Sequence, residues 1–116
     1  MKVNHVNLTV TDAQAARHFF EKYFGLNSME GTTDTATHVG LQDENGFVLT
    51  LMQGKPDSEI KYPPTFHIGF LHQGEERTHK LYEQLKNDGF DVKPPGFYRG
   101  NEFYFYTPFG FTVQVS

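Results

Sequence analysis

The stretch Phe66-His67-Ile68-Gly69-Phe70 repeats the plan of an earlier one, Asn4-His5-Val6-Asn7-Leu8-Thr9-Val10. Each is a short alternating run with a histidine near its start, the pattern of a strand with one buried face. Each leads into an amphipathic helical segment that stops at a glycine, Gly25 and then Gly89. His5 to Gly25 is 20 positions and His67 to Gly89 is 22. The far end of each half keeps that slip, with Thr50 45 positions beyond His5 and Gln114 47 beyond His67. A two-residue difference carried unchanged along half the chain describes one unit used twice with a small insertion. The expected fold is α+β, with tandem β-α-β-β-β modules forming a curled, cupped mixed sheet and helices on its outer face.

At 116 residues the chain has the length of one domain. Two modules of this size would each be marginal alone, so they are expected to share one core. The expected organisation is a single domain over 1–116, with module one at about 1–53, a linker at about 54–64 and module two at about 65–116. No cysteine is present, which suits a reducing compartment, and the start Met1-Lys2-Val3-Asn4-His5 has no secretory apolar run. A cytoplasmic location and no membrane partner are the expectation. A net charge of −4 with scattered Lys and Arg argues against nucleic acid. Aromatic residues make up 16% of the chain, and a cluster runs through Phe97, Tyr98, Phe103, Tyr104, Phe105, Tyr106, Phe109 and Phe111. That cluster fits an aromatic-walled pocket, a dense β core or a subunit interface.

Along the chain, Val6, Leu8 and Val10 share one face of the first strand, while His5, Asn7 and Thr9 share the other. Thr11-Asp12 supplies a helix cap, and Ala16, Phe19, Phe20 and Tyr23 follow at helical spacing. Residues 27–36 read as an edge strand plus loop. His38 to Gln42 and Phe47 to Met52 are strands about the turn Asn45-Gly46. In the second half Glu75 and Glu76 open a helix whose buried stripe is Thr78, Leu81, Tyr82 and Leu85. Pro94-Pro95-Gly96 is a loop, and strands follow at Phe103 to Tyr106 and from Phe111 to Val115.

Four strands thus bury an apolar face and present His5, Thr50, His67 and Gln114 on the other. Two imidazoles with oxygen donors on neighbouring strands suit a divalent ion such as Ni, Zn, Mn or Fe. Read from spacing alone, His5 and His67 are equally strand histidines bonded to their neighbours. His38 has the parity of Gly40 and Gln42 and could face the same side. His18 and His79 fall on helices and face solvent.

The doubled plan resembles the vicinal oxygen chelate superfamily: glyoxalase I, bleomycin-resistance proteins, fosfomycin-resistance thiol transferases and extradiol dioxygenases. Val3-Asn4-His5-Val6, Phe19-Phe20-Glu21-Lys22-Tyr23-Phe24-Gly25-Leu26, Thr65-Phe66-His67-Ile68 and Phe103-Tyr104-Phe105-Tyr106-Thr107-Pro108-Phe109-Gly110 carry the resemblance. It covers essentially the whole chain. It implies metal donors at His5, His67 and Gln114, with Thr50 at the remaining ligand position. Asn7 matches the place where the thiol transferases bind a phosphonate with a hydroxyl residue. Homodimers are common in the superfamily, and some members build each site from two subunits.

The chain departs from that pattern in three places. A glutamate usually stands where Gln114 is, and glyoxalase I has a carboxylate or amide at Thr50. A neutral His/His/Gln set holds a divalent ion more weakly than one with a carboxylate. Isomerisation of the glyoxalase kind also needs a carboxylate base, which argues against lactoylglutathione lyase activity. The aspartate of the turn before the last strand is Thr107. Two readings follow. One is a glyoxalase/dioxygenase-like protein binding a small oxygenated or aromatic molecule in a cupped cavity, with a divalent metal as Lewis acid for lyase, isomerase or dioxygenase chemistry. The alternative is a metal-free binding protein of the bleomycin-resistance type that holds a flat aromatic ligand against Tyr98, Tyr104 and Tyr106. Arg99, beside the aromatic segment, is either an anion contact or an exposed loop cation.

Overall fold

In a computed structural model that describes residues 1–29, 35–96 and 101–116, the chain divides into two units, Met1–Ile60 and Lys61–Ser116. The boundary falls inside the segment expected as a linker. The first unit holds β1 (His5–Val10), α1 (Ala13–Phe24), β2 (Asn27–Ser28), β3 (His38–Gln42) and β4 (Val48–Gln53). Its sheet has the order β1-β4-β3-β2, with β1 parallel to β4 and the other pairs antiparallel. A parallel pair needs a crossover, and α1 provides it.

Alternation puts Leu8, Val10, Val39, Leu41, Leu49 and Leu51 on the buried side of this sheet. The apolar stripe of α1, Ala13, Ala16, Phe19 and Phe20, is buried too, and the helix packs on β3 and β4. Burying a side chain the size of Phe20 contributes about 2–3 kcal/mol. The Asp12 carboxylate caps α1 by accepting from the Ala15 N–H at 3.0 Å, an interaction worth about 1 kcal/mol. Gly25 ends the helix at φ +66, and its N–H reaches the Phe20 carbonyl.

The second unit holds β5 (His67–Phe70), α2 (Glu75–Asn87), β6 (Phe103–Tyr106) and β7 (Thr112–Val115). Its sheet has the order β5-β7-β6, again with a parallel first pair and an antiparallel second. Phe103, Phe105, Phe109, Phe111, Val113 and Val115 are buried with Tyr82 and Leu85 of α2. Tyr82 meets Phe103 edge-on at 6.2 Å, and Phe90 meets Phe105 at 5.4 Å. The strands therefore form two mixed sheets, one in each unit and neither closed.

Register confirms the repeat. His5 pairs with Val48 as His67 pairs with Thr112, and Gly40 faces Thr50 as Tyr104 faces Gln114. The two-residue slip seen in the sequence is thus present in the hydrogen-bonded ladders. One strand of the expected second module is missing among the described residues, since residues 91–96 form none. Pro94 and Pro95 lack the N–H that a ladder requires.

The linker is more ordered than its composition implies. Ile60 folds back over Gly54, where an added Cβ would lie 3.1 Å from Ile60 Cδ1. Tyr62 stacks on Phe66 at 4.5 Å. Among the described residues, no helix is long and apolar enough to cross a membrane.

Candidate functional site

Each sheet has a second face that its helix does not cover. In the first unit this face carries His5, Asn7 and Thr9 of β1, Thr50 and Met52 of β4, and His38 of β3. Pairing fixes how close they stand. Gln53 N–H donates to the Thr37 carbonyl at 2.8 Å, and Asp43 N–H to the Phe47 carbonyl at 3.0 Å. Hydrogen-bonded and non-hydrogen-bonded pairs alternate along an antiparallel ladder, so His38/Met52 and Gly40/Thr50 are of the non-hydrogen-bonded kind, whose side chains come closest.

His5 Nε2 lies 3.0 Å from Thr50 Oγ1, a hydrogen bond made diagonally across the parallel pair. Thr50 is 9% exposed while His5 is open to solvent, so the bond ties an exposed ring to a nearly buried hydroxyl. Asn7 Nδ2 donates to Met52 Sδ at 3.1 Å.

In the second unit the corresponding face carries His67, Gly69, Tyr104, Tyr106, Thr112 and Gln114. The Thr107 N–H to Phe111 carbonyl bond makes Tyr104/Gln114 a close, non-hydrogen-bonded pair by the same alternation. His67 Nδ1 lies 3.0 Å from the Thr65 carbonyl. A carbonyl only accepts, so Nδ1 carries the proton and the neutral ring keeps its lone pair on Nε2. The ring also meets Tyr104 edge-on at 5.6 Å. The register places Gln114 diagonally from His67, as Thr50 stands from His5. Its Oε1 lies over Gly69, 3.5 Å from where a Cβ would be.

Gln114 also lines an open cavity of about 350 Å³, with Leu71, His72, Glu75, Asn101 and Glu102 among its walls. Sequence periodicity did not single out this cavity. It depends on the parallel pairing of β5 with β7, which brings the residues after Phe70 beside Gln114 and Ser116.

The aromatic cluster divides by parity. Phe103, Phe105, Phe109 and Phe111 are core, whereas Tyr104 and Tyr106 are 49% and 68% exposed on the open face. Tyr98, Arg99 and Phe97 lie outside the described residues. His5 and Thr50 come together in the first unit, and His67 with Tyr104 in the second. His38 is exposed beside Met52. Among the described residues, no three His, Asp or Glu side chains gather as a metal centre.

The model of the Glyoxalase/Bleomycin resistance protein/Dioxygenase superfamily matches residues 2–115. The chain belongs to that superfamily. It is 46% identical to a possible glyoxalase from Bacillus cereus, with a TM-score of 0.88 over 99% of this chain and 97% of that one. A glyoxalase/dioxygenase from Nostoc punctiforme is 22% identical, at a TM-score of 0.77 over 98% and 88%. A fosfomycin resistance protein from Listeria monocytogenes, complexed with Mn(II) and sulfate, is 20% identical, at 0.75 over 98% and 87%. At these lower identities the likeness is one of fold. No curated protein matches the chain.

Proposed function

We propose that the chain binds a small oxygenated or aromatic molecule at its open sheet faces, with a divalent ion held by His67, Gln114 and His5. The His67–Thr65 bond carries this reading. A metal-binding imidazole ordinarily donates its other N–H to a carbonyl or carboxylate, which fixes the tautomer that leaves a lone pair for the ion. Gln114 offers a carbonyl oxygen on the same face, and His5 is the third donor, from the same chain or a second copy. These atoms fit Mn, Ni, Zn or Fe, and the Mn(II) in the Listeria protein supports the choice by likeness of fold alone.

Such an ion would supply Lewis acidity towards a ligand with neighbouring oxygens. Asn7 and Thr50 would orient the ligand by hydrogen bonds, while Tyr104 and Tyr106 would pack against it. His38, Tyr98 and Arg99 belong to the proposal as ligand contacts. A homodimer in the cytoplasm belongs to it as well, from the superfamily's habit and the lack of cysteine.

A metal-free binding role is the second reading, favoured by the His5–Thr50 bond, which already engages one donor nitrogen. Calorimetric titration with Mn²⁺, Ni²⁺, Zn²⁺ and anaerobic Fe²⁺, beside His67→Ala, separates the two. Binding tighter than about micromolar that disappears in the variant supports the metal site. No uptake, or uptake indifferent to His67, leaves the metal-free role.

A further inference from the structure

Met52 is 41% exposed on the open face of the first sheet, so its thioether is not part of the core. Its sulfur accepts a hydrogen bond from Asn7 Nδ2 at 3.1 Å. A thioether ordinarily packs among apolar side chains, where burial slows oxidation and a sulfoxide would disrupt the packing. Neither condition holds at this position. We propose that Met52 is a reversible sulfoxidation site whose product is held by the Asn7 amide.

With hydrogen peroxide as oxidant, a sulfur lone pair attacks one peroxide oxygen. The S–O bond forms as the O–O bond breaks, and the proton on the transferred oxygen passes to the departing hydroxide to give water. Sulfur loses two electrons and the peroxide gains them. The Asn7 N–H occupies one of the two sulfur lone pairs and leaves the other for this step.

The sulfoxide oxygen is a much stronger acceptor than a thioether, so the donor already in place gains a better partner. Rotation about the long, unbranched side chain brings that oxygen to it. Asn7 and Met52 flank Thr50, the partner of His5. Oxidation therefore converts a soft apolar spot beside that pair into a strong dipole. A methionine sulfoxide reductase restores the thioether. The inference does not depend on whether a metal binds.

The test is limiting peroxide on the full chain, followed by mass mapping of the three methionine peptides. Met1 at the exposed end serves as the internal rate standard, and half-buried Met29 as the protected one. Met52 is expected to gain one oxygen atom several-fold faster than Met29, with the fold retained by circular dichroism and the thioether regenerated by reductase. Asn7→Ala and Asn7→Asp, which lack the donor and so free the second sulfur lone pair, are expected to raise the Met52 rate relative to Met1 and, with the product no longer held, to speed its regeneration by the reductase. Oxidation of Met29 in step with Met52, unfolding on Met52 oxidation, or an unchanged Met52-to-Met1 ratio in both variants would overturn the proposal.

Discussion

Asp43 and Thr107, 64 positions apart, close the same turn in the two units. Asp43 N–H donates to the Phe47 carbonyl at 3.0 Å, and Thr107 N–H to the Phe111 carbonyl at 2.9 Å. Gly46 and Gly110 hold the left-handed position of each turn, at φ +86 and +104. The side chains solve one problem in two ways. Asp43 Oδ1 accepts from the Asn45 and Phe47 N–H groups, each at 2.8 Å. Thr107 Oγ1 accepts from Phe109 N–H at 3.3 Å and donates to the Phe111 carbonyl at 2.8 Å. Thr107 has no exposure at all, where a carboxylate would carry a heavy desolvation cost. Thr107 is thus a neutral solution for a buried turn.

Thr107→Val keeps the shape and removes both side-chain bonds, leaving Phe109 N–H without that acceptor. A loss of about 1–3 kcal/mol is expected, and Thr107→Ser should cost less than valine because it keeps the hydroxyl. Urea denaturation checks this. Equal losses in the two variants would take the hydroxyl out of the account.

Thr78 makes the opposite case. It is fully buried on α2, and its hydroxyl has no hydrogen-bond partner. Thr78→Val replaces that orphan with a methyl of similar size, and both residues are β-branched, so helix propensity barely changes. A gain of about 1 kcal/mol in the urea midpoint series is expected. Destabilisation instead would mean that the hydroxyl has a partner in solution.

Gly25 isolates a backbone effect. Its φ is +66, and nothing lies within 4 Å of an added Cβ, so substitution meets strain without a clash. Gly25→Ala should lower stability by about 1 kcal/mol, and Gly25→Asn by less, since asparagine tolerates the left-handed region better. A thermal melt of the three proteins ranks them.

The two-residue slip, the faces of β1 and β3 and the glycine stop of α1 were legible because period and punctuation are local. The strand missing from residues 91–96 was less so, since the repeat argued for it while Pro94 and Pro95 argued against. Composition left the aromatic segment open between pocket wall, β core and subunit interface, and the fold divides it, with Phe103, Phe105, Phe109 and Phe111 in the core and Tyr104 and Tyr106 on the open face. The His5–Thr50 bond was only half readable. Parity put both residues on one face, but the diagonal contact depends on a parallel register that no local pattern states. The cavity beside Gln114 is assembled from segments distant in sequence, so periodicity could not show it.

Gln114→Glu is the sharpest test of the metal reading. The change adds a charge to an otherwise neutral donor set, in a cavity already walled by Glu75 and Glu102. With no cation present, the third carboxylate adds to the negative charge of Glu75 and Glu102, and the variant should melt below the parent in chelator. With Mn²⁺ or Ni²⁺ the sign reverses if the ion sits at this residue. Affinity should then rise by roughly tenfold or more, and the melting temperature should recover with metal concentration as binding to the folded state demands. Gln114→Leu, which offers no donor, should lose both the affinity and the metal-dependent recovery. A Gln114→Glu protein destabilised in chelator but indifferent to added metal would leave the cavity as an acidic pocket and move the function to metal-free binding.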